Sequence, residues 1–153
     1  MRLAGWNARR VVFGAMNLRT GARVLLPRAR GRSGDFRAFL GAVRWRYRGW
    51  HVALLLDGDP CHTARASLRE ADGMTLLWLP KRAPELNPMD TLWGQAKDVI
   101  SANTQYRTIE AQVDRLLDYL AGLSNDQALH TSGALSQDFW LKHALAKDFC
   151  GPA

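Results

Sequence analysis

Two apolar runs constrain this chain most: residues 51–56, HVALLL, and residues 74–79, MTLLWL, with one amphipathic stretch between them. Runs of that length with almost no polar position fit strands covered on both faces, and residues 63–71 between them have helical spacing. Strand, crossing helix and second strand make a parallel pair, so a βαβ unit is expected here.

The flanking segments yield to the same reading. Residues 10–17 (RVVFGAMN) and 22–27 (ARVLLP) are short β-type runs separated by LRTG, whose Gly21 suits a turn position of positive φ. An antiparallel hairpin is expected. Ser33 is placed to cap a helix over residues 35–47, where Phe36, Phe39, Leu40, Val43 and Tyr47 recur at three- and four-residue steps. The arginines then lie mostly on the opposite face. After the loop KRAPELNP, residues 89–100 carry a helical stripe of Met89, Leu92, Trp93, Ala96 and Ile100, with Pro88 in the first turn, where a missing N–H costs nothing. Thr108 caps a further amphipathic helix over residues 108–120, and weaker helical pieces follow at 126–130 and 139–145. These C-terminal helices are expected to pack on the sheet.

At 153 residues, with no internal repeat or linker, the chain is expected to form one domain spanning residues 1–153. No stretch approaches the ~18 uninterrupted apolar residues of a membrane span, and the N-terminus lacks the apolar core of a signal peptide. A cytoplasmic protein with no membrane partner is predicted. Cys61 and Cys150 lack companions at disulfide or zinc spacing, so both are expected to be free thiols.

Charge narrows the partner. Lys and Arg number 21 against 14 Asp and Glu, a net charge of +7, and from Arg19 to Arg48 the arginines are opposed only by Asp35. This fits a polyanion. An arginine-rich surface reflecting a GC-rich genome gives the same composition, so charge alone leaves both open.

Two acids stand where chemistry collects. Asp57 ends the first apolar run, at the carboxyl end of its strand, and Asp90 opens the helix after the next strand and loop. Carboxylates brought together repel unless a divalent cation neutralises them, and hard cations take oxygen ligands, water and substrate phosphate. On a basic protein this pattern suggests metal-assisted phosphodiester chemistry. The alternative is structural: Asp57 begins a turn through Gly58, and Asp90 complements the helix dipole.

The stretches LLLDGDPCHTA and LLWLPKRAPELNPMDTLWGQAK resemble the DDE superfamily of transposases and integrases, in particular mariner-like bacterial insertion-sequence transposases. Together with the GAMNLRTG block the likeness covers about residues 5 to 120. By this resemblance Asp57 takes the place of the second catalytic acid and Asp90 of the third. His62 matches the His that follows the second acid, Trp93 and Lys97 match the helix positions after the third, and Pro84–Leu86, Asn87 and Pro88 match the loop. The resemblance implies an α/β, RNase H-like fold, a mixed sheet flanked by helices, with two Mg2+ or Mn2+ ions and DNA transposition.

One departure stands out. The family's first acid lies on a strand upstream of the hairpin, and this chain is expected to lack that strand and its Asp. Asp35 and Asp59 are poor substitutes, the first because it precedes a helix, the second because it shares a turn with Asp57. A DDE domain of impaired catalysis is therefore expected, whether fragment, frameshift product or natural truncation.

The expected site is catalytic and metal-binding at Asp57 and Asp90, with His62, Lys97, Arg30 and Arg32 as DNA contacts. His62 is open to two roles, orienting a phosphate or water and capping the next helix. Trp93 is read as core in preference to a base-stacking group, and Asn87 as a brace for its loop. The partners implied are DNA, both transposon ends and target, and a second copy of the chain or an intact transposase, in a bacterial cytoplasm near the nucleoid. A DNA-binding remnant without chemistry, acting on an intact transposase, is the alternative. An unrelated phosphohydrolase using Asp57 and Asp59 would leave PELNP unexplained.

Overall fold

The computed structural model describes residues 2–5, 8–80 and 83–142. β1 (Arg2–Gly5) pairs antiparallel with the start of β2 (Ala8–Met16), Arg2 opposite Val11 and Gly5 opposite Ala8. β2 then pairs antiparallel with β3 (Arg23–Arg28), Val11 opposite Arg28 and Met16 opposite Arg23. The hairpin forms as its sequence predicts, with Gly21 at φ +74°. Asn17 closes the turn, its side chain accepting the Arg19 and Thr20 N–H groups at 2.9 and 3.1 Å. The short β1 carries no turn or periodicity signal strong enough to be read beforehand.

α1 (Ser33–Arg46) begins two residues before the predicted start. The Asp35 carboxylate accepts the Arg32 N–H at 3.1 Å, so Arg32 occupies the cap position and Ser33 lies inside the first turn. The predicted stripe is buried at Phe36, Phe39, Leu40 and Val43.

β4 (Ala53–Leu56) and β5 (Thr75–Trp78) are parallel, Ala53 opposite Thr75 and Leu56 opposite Trp78, as the βαβ reading requires. Their crossing is two short helices instead of one: α2 (Pro60–Thr63) and α3 (Arg65–Glu70), broken where Ala64 takes ψ 139°. The buried Ser67 hydroxyl donates to the Cys61 carbonyl at 2.6 Å, an acceptor at the end of α2 that the break keeps from continuing the helical ladder.

The two apolar strands are not covered on both faces. In β4 Leu54 and Leu56 are buried but Ala53 is exposed, and in β5 Leu77 and Trp78 are 39% and 45% exposed. With α1 packed on one face, burial alternates along β4, while β5 is exposed at Thr75, Leu77 and Trp78 and half-buried at Leu76.

The remaining helices are α4 (Pro88–Ser101), α5 (Ile109–Gly122) and α6 (Asn125–Thr131). Each has a side-chain cap: Asn87 accepts from the Met89 N–H, Thr108 from Ala111 and Ser124 from Gln127. Of the helical piece expected at 139–145, residues 140 and 141 form a turn, residue 142 is helical, and the rest lie outside the described residues.

Among the described residues the strands form two sheets, β1-β2-β3 and β4-β5. β2 parts two cores because successive side chains on a strand face opposite ways. Val12 packs with Leu92, Trp93, Leu116 and Leu120 of α4 and α5, whereas Phe13 packs with α1 and with Leu54 and Leu56 of β4. The hairpin also grips the helical layer. Arg23 Nη2 donates to the Leu123 carbonyl at 2.6 Å, where α5 ends, and a Cβ on Gly21 would collide with the Asn125 carbonyl.

Candidate metal and nucleic-acid site

Asp57, Asp59, Asn87 and Asp90 converge on one open depression of about 270 Å³, with Leu79, Pro80 and Pro84 on its wall. The elements that bring them there are those the sequence foretold. Leu54 and Leu56 anchor β4 in the α1 core and leave Asp57 just past the strand's carboxyl end. Met89, Leu92 and Trp93 anchor α4 in the other core, and Asn87 caps it, so Asp90 emerges in the first turn.

His62 does not cap a helix through its ring. Its Nδ1 lies 2.7 Å from Asp57 Oδ1 and 3.3 Å from the Asp57 carbonyl oxygen, and its ring packs against Phe36 with centroids 4.2 Å apart. This bond holds the Asp57 carboxylate in one orientation, and no described donor reaches Oδ2. Asp59 is engaged elsewhere: its Oδ1 accepts the Cys61 N–H at 2.9 Å, the cap of α2.

Asp90 is half-buried, and burial pushes its carboxyl above the usual range; the charge of Asp57 pushes the same way, opposed by Asn87 and Lys97. Burial and the neighbouring Asp57 thus outweigh the Asn87 hydrogen bond and the Lys97 charge at Asp90. Two carboxylates that raise each other's cost, with only oxygen donors between them, are a donor set that would suit a hard divalent cation. Among the described residues no group of three His, Cys, Asp or Glu side chains converges.

The other predicted contacts are placed unequally. Lys97 is exposed two turns along α4 from Asp90, near enough for its charge to act on that carboxyl. Arg30 and Arg32 are exposed at the β3–α1 connection and do not line the depression. Trp93 is core, 6% exposed, with its ring against Gly14 of β2. Sequence reasoning missed Trp140, whose indole Nε1 donates to the Leu86 carbonyl at 3.0 Å and ties down the loop before α4. At 54 positions' separation no local signal announces that bond.

Residues 1–112 match the model of a family described as DDE superfamily endonuclease. An uncharacterized protein of Sinorhizobium fredii, y4pE/y4sA, is 40% identical over 50 residues, a stretch that makes up 33% of this chain and 36% of that protein. The match thus spans about a third of that relative's length. Among solved structures, the catalytic domain of Mos1 mariner transposase is similar with a TM-score of 0.68 at 17% identity, over 88% of this chain and 73% of that one. The Mos1 mariner paired end complex with Mn gives 0.66 at 17% identity, over 88% of this chain and 43% of that one. At such identity the likeness is one of fold, the RNase H-like α/β arrangement. No helix among the described residues is long and apolar enough to cross a membrane.

Proposed function

Because this chain belongs to the DDE superfamily endonucleases, we propose that residues 1–153 form a catalytic domain of DNA transposition in which Asp57 and Asp90 hold divalent metal. The observation that carries this reading is the convergence of Asp57 and Asp90 on one depression, with Asp57 oriented by His62. A bound Mg2+ or Mn2+ pair would polarise the scissile phosphate and lower the pKa of an attacking water or hydroxyl. The protein's own residues do the rest. His62 keeps Asp57 aimed, Asn87 and Trp140 fix the loop that sets Asp90, and Lys97 offers a phosphate contact beside Asp90. Arg30 and Arg32 extend the positive surface toward the backbone of bound DNA.

Among the described residues no third acid joins Asp57 and Asp90 in a group that could hold a metal, and the two candidates weighed for it have structural hydrogen bonds. Asp59 caps α2, and Asp35 accepts the Arg32 N–H. Residues 13–16 of β2 have ladder partners only on β3, and β4 only on β5, among the described strands. Phe13 of β2 and Leu56 of β4 nevertheless share a core. This arrangement supports a further strand between β2 and β4 as the bearer of the missing carboxylate. Without it, catalysis is impaired, since one acid fewer leaves the metals underligated. A DNA-binding remnant that regulates an intact transposase is the second reading, supported by the net charge of +7 and by the lack, among the described residues, of a third His, Cys, Asp or Glu converging with the acid pair.

Supercoiled DNA with Mn2+ separates the two. The chain joined to an upstream strand bearing Asp should nick DNA, and Asp57→Ala or Asp90→Ala should abolish nicking. Equal nicking by both alanine variants sinks the assigned site. Binding without nicking in the joined protein selects the regulatory reading.

A further inference from the structure

α1 runs away from His62, and at its far end lies a second basic surface. Residues 45–50 read WRYRGW, and no acid occurs between residues 36 and 56. Trp45 and Trp50 are 69% and 66% exposed, more than any other large apolar side chain among the described residues. With Arg46 and Arg48 they line an open depression of about 430 Å³. The Arg48 guanidinium stands 5.2 Å from the Trp45 ring centroid and donates to the Trp45 carbonyl at 3.3 Å, and that of Arg46 stands 5.5 Å from the Tyr47 ring. Neither has a carboxylate partner among the described residues, whereas Arg37 and Arg44 are both held by Glu70.

Two neighbouring exposed indoles form an apolar patch that a partner can cover, and guanidiniums without a carboxylate favour an anionic one. Flat π-faces beside phosphate-seeking cations match the two surfaces of an unpaired nucleotide, base and phosphate. A duplex keeps its base faces stacked inside and offers the indoles nothing. We propose that Trp45, Arg46, Arg48 and Trp50 form a stacking site for single-stranded nucleic acid. The 14 residues of α1, at ~1.5 Å each, put this site about 20 Å from the Asp57 end. It therefore does not rest on the reading of the acid pair.

The test uses fluorescence anisotropy of the whole chain with oligo-dT, oligo-U, an abasic oligomer of equal length and a blunt duplex. The abasic strand keeps the phosphates and removes the stacking. The wild type should bind dT or U at least about fivefold more tightly than the abasic strand, the worth of one stacked base. Tighter binding of dT assigns DNA, and of U assigns RNA. Trp45→Ala with Trp50→Ala should erase that preference while the salt slope stays, and Trp45→Phe with Trp50→Phe should keep part of it. Arg46→Gln with Arg48→Gln should weaken all strands and lower the log-log salt slope by about 1.4, or ~0.7 per phosphate. Equal wild-type affinity for base-bearing and abasic strands overturns the proposal. So does a folded double-Trp variant, checked by circular dichroism, that keeps the preference or that only loses self-association.

Discussion

His62 Nδ1 sits 2.7 Å from Asp57 Oδ1, five residues after it in sequence and on the far side of a Pro-initiated turn. The imidazole orients the carboxylate from behind, as ligand-supporting groups do in metal sites. Replacing His62 by Phe keeps the ring packing on Phe36 and removes the bond. Mn2+ affinity, read by calorimetry, should fall about 10- to 100-fold. An unchanged dissociation constant would show that Asp57 needs no such support.

The shift at Asp90 makes stability depend on pH in a defined direction. Its folded-state carboxyl titrates above the ordinary value of 3.8, first because of burial and then because of Asp57. A raised acid binds more protons folded than unfolded, so its contribution favours folding at low pH and is lost as pH rises from the ordinary value through the folded one. Asp90→Asn should therefore melt at a higher temperature than the wild type at pH 7 in chelator, with the gap closing near pH 4. A lower melting temperature for Asp90→Asn at pH 7 would refute the repulsion.

Divalent metal should relieve the same strain. A ligand that binds only the folded chain adds about 2.7 kcal/mol at a free concentration of about 100 times Kd. For a chain of this size that is a rise of roughly 5–10 °C in Tm. Mn2+ should raise the Tm of the wild type and leave Asp57→Ala and Asp90→Ala where they were. An equal rise in all three proteins would place the metal elsewhere.

Gly14 sets how closely α4 approaches β2. A Cβ there would lie 2.8 Å from Met89 Cε and nearer still to Trp93 Cζ2. Gly14→Ala should cost about 1–3 kcal/mol through overpacking, a drop of roughly 3–10 °C in Tm. Because Met89 adjoins Asp90, Mn2+ affinity should fall as well. Adding Trp93→Phe should recover part of both losses, and strictly additive effects would show that the two side chains do not meet.

Arg23 joins the hairpin to the end of α5. It donates to the carbonyls of Gly21 and Leu123 at 2.9 and 2.6 Å. Arg23→Met keeps the aliphatic stem and deletes the donors, so it should destabilise by about 1–3 kcal/mol in urea unfolding. A loss of no more than a few tenths of a kcal/mol would assign the contact to the surface.

What the sequence disclosed and what it withheld follow from the range of the interactions. The positions of Asp57 and Asp90 in the fold were legible because a strand end and a helix start are local events, written in the LLLD run and in Pro88 at the first turn, whereas the Asn87 cap was read only as a loop brace. Trp93 was readable as core from its place in the α4 stripe. The exposure of Leu77 and Trp78 was not, because apolar composition does not report how many neighbours a strand finds. The break at Ala64 depends on a hydroxyl from Ser67 reaching back to Cys61, and the Trp140 tether on a fold already formed.

The two acids are founded in different cores, Asp57 through Leu54 and Leu56, Asp90 through Met89, Leu92 and Trp93. Their spacing is therefore a coordinate between two separately packed bodies, with β2 as the shared wall. Because Val12 and Phe13 of that wall belong one to each core, and Trp93 and Met89 seat closely on Gly14, the gap between the carboxylates is held by how each body packs on β2.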